Sequence, residues 1–95
     1  MLAGEQIFIT IGCASCHVPT LRTSRSEIAV LDRVDFHPYT DLLLHDMGPG
    51  LDDGYTEGVA LTSEWRTPPL WGMGIQHSFQ GGRAFFLHDG RAVTL

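Results

Sequence analysis

Cys13 and Cys16 stand three positions apart, and His17 follows directly. Two thiols at that spacing on one helical turn can reach the two vinyl groups of a single porphyrin, and the next residue then supplies a nitrogen to the iron. Cys13-Ala14-Ser15-Cys16-His17 therefore reads as a c-type haem-attachment motif, with one haem c held covalently by Cys13, Cys16 and His17. Three other chemistries compete. A redox dithiol would want a βαβ context, and none is visible. A zinc site needs four ligands, and His37, His45, His77 and His88 lack zinc-finger spacing. A Cys13–Cys16 disulfide would close too short a loop to contribute much.

The ligand on the other side of the iron is open. Met47, in His45-Asp46-Met47-Gly48-Pro49-Gly50, could fold over it and is taken with His17 as the metal-ligand pair. Met73, His45, His77 and His88 are further candidates, although a Met readily fills irregular core gaps.

The elements that must place these residues are short. Leu2, Ile7, Phe8 and Ile11 fit a helical period, so residues 2–12 are expected to form a helix that Gly12 loosens; the β-branched run Ile7–Ile11 leaves a strand as the alternative. Residues 27–31 suggest a brief strand. Thr40 or Asp41 could cap a short helix through Leu44, and Leu61–Trp65 suggests a helical turn. Residues 46–58 and 72–82 are glycine-rich loops. Thr94 has N-cap character, so Leu95 would open a helix.

At 95 residues the chain is one domain at most. Its core is thin enough for a haem to serve as an apolar wall. The net charge of −5, with six Arg and no Lys, disfavours nucleic acid. No apolar run nears the roughly 18 residues of a membrane span. The N-terminus has no signal-peptide pattern, so export-coupled attachment would make this a mature segment.

Gly12–Leu21, Tyr39–Gly48, Glu64–Gly72 and Phe86–Ala92, in that order, resemble the C-terminal haem domain of bacterial di-haem oxidoreductases, the thiol-oxidoreductase-like branch related to di-haem cytochrome c peroxidases and MauG enzymes. The resemblance covers residues 4–95. It implies a mostly α, cytochrome c-like fold, with short helices and long loops around one haem, and a periplasmic location. It also implies a redox partner protein or a second haem domain. Family members continue past Leu95 into a helix, a distal-ligand loop and a closing helix. The chain accordingly reads as one c-type cytochrome domain, a fragment without its C-terminal helix and inactive alone. Exposed apolar surface would then favour homo-oligomers. Arg66 and Arg91 are candidates for the haem propionates, or for ion pairs with Asp46, Asp53 or Asp89. Trp65 and Trp71 are candidates for the haem wall. Phe8, Leu21, Leu70 and Phe86 are expected to pack on it. The leading expectation is an electron-transfer domain; a peroxidase-type catalytic haem and a non-haem Cys-pair domain are the alternatives.

Overall fold

The computed structural model describes residues 2–94. Helix α1 runs from Leu2 to Thr10, close to the expected 2–12. Glu5 in its first turn suits the positive end of the helix dipole. The Thr10 hydroxyl donates back to the Gln6 carbonyl at 2.7 Å, and the Ile11 amide reaches the Ile7 carbonyl at 2.9 Å. The β-branched run thus stays helical to the edge of Gly12. A 3-10 turn over Cys13–Ser15 follows.

Strand β1 (Leu21–Arg22) pairs antiparallel with β2 (Asp35–Phe36), Leu21 opposite Phe36 and Arg22 opposite Asp35. Strand β3 (Leu44–Asp46) pairs with β4 (Glu64–Arg66) in a second two-stranded sheet. Further 3-10 turns cover Ala29–Leu31, Pro49–Leu51 and Met73–Ile75, the last leading into α2 (Gln76–Phe79). Leu95, expected to open a helix, lies outside the described residues. Among the described residues no helix is long and apolar enough to cross a membrane.

The expectation of a mostly α fold is overturned. Helices of all kinds cover 26% of the chain, beside two small antiparallel sheets. The physical reasons are local. Thr40 accepts from the Leu42 amide at 2.9 Å as an N-cap would, while its own proton goes to the Thr67 carbonyl at 2.7 Å, but no helix follows it. Leu42 has φ +63°, which a right-handed helix excludes, and Leu44 enters a strand instead. The expected strand at 27–31 is a 3-10 turn at Ala29–Leu31. Asp32 accepts from the Ser26 amide at 2.9 Å, and Thr23 donates to the Leu31 carbonyl at 2.6 Å, so the loop is bent by polar bonds. The expected helical turn at 61–65 becomes strand β4 from Glu64 onward.

The chain forms two compact units. One holds residues up to Leu43 together with Arg66–Trp71; the other holds Leu44–Trp65 and Gly72 onward. Among the described residues buried side chains are few: Phe86 in the second unit, and Pro38, Thr40 and Thr67 in the first. Many large apolar side chains stay in water, among them Ile7 at 59%, Ile11 at 68% and Leu43 at 59% exposure.

Candidate functional site

The site grows out of the end of α1. Gly12 sits at φ +90°, where any residue with a Cβ would be strained although nothing crowds the position. That kink turns the chain into the Cys13–Ser15 turn. The Cys13 carbonyl accepts from the His17 amide at 2.9 Å, which closes a helical turn around both cysteines. Cys13 and Cys16 are free cysteines, each half-buried.

The His17 ring is held on two sides. Phe8, one turn before the motif on α1, lies 6.3 Å from it at 58°. Its Nδ1 lies 2.9 Å from the Tyr39 carbonyl oxygen. A carbonyl only accepts, so Nδ1 carries the proton and the lone pair belongs to Nε2. Tyr39 packs edge-on against Phe8 at 5.8 Å and 84°. Sequence reasoning missed the Tyr39 carbonyl, since every residue has one and no side-chain type signals its use.

Segment 37–43 is tied down on both flanks within the first unit. Thr40 N donates to Val18 O at 3.1 Å, Leu70 N to Pro38 O at 3.0 Å, and Thr67 N to Leu43 O at 2.9 Å. The Trp71 indole donates to His37 O at 2.6 Å, and its ring lies 6.5 Å from Phe36. Trp71 nevertheless remains 64% exposed. Tyr39 and Leu42 both have positive φ, +54° and +63°, a backbone state that costs of order 1–3 kcal/mol per residue unless its surroundings enforce it.

The first unit holds Cys13, Cys16, His17, Trp71 and, at its end of β4, Arg66. Met47 and Arg91 belong to the second. Met47 is half-buried, its amide bonded to Ser63 O at 2.8 Å. The Arg91 guanidinium meets Asp89, Nε to both carboxylate oxygens at 2.8 and 2.7 Å. This pair holds Asp89 below and Arg91 above their ordinary pKa values. Gly90 makes the turn between them, with φ +75° and Phe85 at 3.3 Å from any added Cβ. Trp65 donates to Leu51 O at 2.8 Å. Beside Phe86, a depression of about 550 Å³ is lined by His77, Arg83, Phe85 and Val93.

Asp46 closes the turn after β3. Its carboxylate accepts from the Gly48 amide at 2.9 Å and from Ser63, which holds its pKa below the ordinary 3.8. A depressed carboxylate stabilises the fold above its unfolded pKa and loses that contribution as pH falls through its folded value. Asp46→Asn should therefore lower the urea midpoint at neutral pH. The gap to wild type should close as pH is taken below 3.8 and through the folded value. A gap unchanged with pH would show that the charge does not matter.

No curated protein and no solved structure matches the chain. One family model does, described as "Di-haem oxidoreductase, putative peroxidase", and its match extends over residues 1–95, through the Cys13–His17 turn and both units. On that match the chain belongs to the di-haem oxidoreductase family.

Proposed function

We propose that the chain binds one haem covalently through Cys13 and Cys16, with His17 as a ligand to its iron, and serves as an electron-transfer domain. The observation that carries the reading is the His17 ring, fixed by the Tyr39 carbonyl in the tautomer whose lone pair lies on Nε2, immediately after two free cysteines on one helical turn. The residues present fit the group. Two thiols can each add across a vinyl double bond, sulfur to one carbon and hydrogen to the other, with no oxidant consumed. The first unit also carries Ile7, Ile11, Leu42, Leu43 and Trp71 more than half exposed, apolar surface that a macrocycle would cover.

When bound, the haem iron supplies one-electron cycling between two oxidation states. The chain's own residues set the conditions for it. Cys13 and Cys16 fix the porphyrin edge, so little ligand entropy is left to lose. His17 is oriented by Tyr39 and Phe8, and the hydrogen bond at Nδ1 raises its strength as a donor. Arg66, in the same unit, is a guanidinium that would be offered to a propionate, and the sequence offers Arg91 as another. For a second iron ligand the sequence offers Met47. A second haem domain or a redox protein would exchange the electron, in the periplasm.

Maturation of the chain in a host with cytochrome c assembly genes tests this. The expected result is a mass increase of one haem that survives denaturation, with a haem-staining band. A chain of unmodified mass under those conditions overturns the proposal. The family's printed description favours a second reading, a peroxidatic haem. A high-spin spectrum with rapid reaction with peroxide would support that reading, and a low-spin six-coordinate spectrum supports electron transfer.

A further inference from the structure

We propose that Thr40 is a positioning residue for His17, acting through the Tyr39 carbonyl; the role rests on the haem reading above for its redox consequence. Thr40 has no exposed surface and Thr67 is 5% exposed. The Thr40 hydroxyl is used in both directions: it donates to Thr67 O at 2.7 Å and accepts from Leu42 N at 2.9 Å. The same residue's amide donates to Val18 O at 3.1 Å. Its neighbour Tyr39 accepts from His17 Nδ1 at 2.9 Å. Tyr39 and Thr40 thus hold the consecutive residues His17 and Val18, the first by its ring and the second by its backbone.

The backbone around Thr40 is not a relaxed one. Tyr39 and Leu42 are non-glycine residues at positive φ, a state that persists only where neighbouring bonds over-determine it. The two bonds of the Thr40 hydroxyl provide that determination, joining residues 40–42 to residue 67. Without them Thr67 O and Leu42 N lose a buried partner, the Tyr39 peptide gains freedom to rotate, and its carbonyl no longer faces Nδ1. The imidazole that loses this bond becomes a weaker donor to a bound metal. Weaker donation favours the reduced metal, so the reduction potential rises.

Thr40→Val keeps the β-branched shape and removes the hydroxyl; Thr40→Ser keeps the hydroxyl. In the matured full chain, Thr40→Val should lower the oxidised-to-reduced ratio at a fixed applied potential by about tenfold, equivalent to about 59 mV for one electron. Thr40→Ser should stay at the wild-type value. A structural defect alone would move both variants through loss of yield rather than potential. The His17 tautomer, read from imidazole ¹⁵N shifts, gives a measurement that needs no haem: Nδ1–H in wild type and Thr40→Ser, a mixture in Thr40→Val. If wild type never takes up haem, the haem reading falls and the tautomer still decides the role of Thr40. Should Thr40→Val not fold, Thr40→Ala replaces it, since it also removes the hydroxyl and should shift tautomer and potential in the same direction. A haem-bearing Thr40→Val chain with wild-type potential and tautomer, or equal shifts in Val and Ser variants, overturns the inference. So does an unshifted Thr40→Ala chain where that variant replaces Thr40→Val.

Discussion

Replacing Cys13 and Cys16 together by alanine should reduce covalently bound haem to background in a host that matures the wild-type chain. The loss should be chemical and not a folding failure. Neither thiol makes a disulfide in this fold. The turn that carries them is closed by backbone bonds from Ser15 to Gly12 and from His17 to Cys13, which alanine leaves intact, and alanine is the best helix former. Each single variant should keep one thioether and still carry a full haem mass after denaturation. Intact mass together with far-ultraviolet circular dichroism of the haem-free forms separates the cases. A double variant that retains covalent haem would place the attachment elsewhere in the chain. A double variant whose haem-free form has lost its secondary structure would make the cysteines structural.

The helical turn at Cys13–His17 was legible because its information is local: three residue types at fixed spacing, after a Gly12 that permits the kink. Helix α1 was legible for the same reason, even though Ile7, Ile9 and Ile11 favour a strand by propensity. The chemistry of the motif needs a helical turn, and the Thr10-to-Gln6 bond shows how a β-branched residue is accommodated there. What could not be read was set by distant partners. Thr40 has all the marks of an N-cap and does accept from the Leu42 amide, but Leu42 at φ +63° and the bond to the Thr67 carbonyl, 27 positions away, take the chain out of a helix. Strands of two or three residues, such as β1 and β2, are too short for a period-2 pattern to register. Their pairing is decided by the 23–34 loop, where the Thr23 hydroxyl accepts from the Val34 amide at 2.8 Å.

The same reasoning explains why the helical content was overestimated. Leucines 42–44 look like an apolar helical run, yet Leu42 at φ +63° breaks it, and Leu42, Leu43 and Leu44 are 54%, 59% and 48% exposed. A run of three leucines in water is costly for a lone chain. It is reasonable for a chain whose core includes a group that the sequence does not encode.

That last point carries the second large expectation: haem attachment should change the chain from marginally to cooperatively stable. Fully burying an Ile or Leu side chain is worth about 1.5–3 kcal/mol. Ile7, Ile11, Leu42, Leu43 and Trp71 keep between 54% and 68% of their surface in water. Covering them would contribute on the order of 5 kcal/mol, as much as the whole folding stability of a small domain, about 5–15 kcal/mol. The haem-free chain should therefore unfold at low urea, while the matured chain should show a sharp transition at a clearly higher midpoint. Leu42→Ser gives the sharper check. In the haem-free chain Leu42 is half in water, so the change should leave the midpoint nearly unmoved. In the matured chain it should cost about 1–2 kcal/mol, since a covered apolar contact is lost. Equal midpoints with and without haem, or a Leu42→Ser effect of the same size in both forms, would mean that these side chains face something other than the haem.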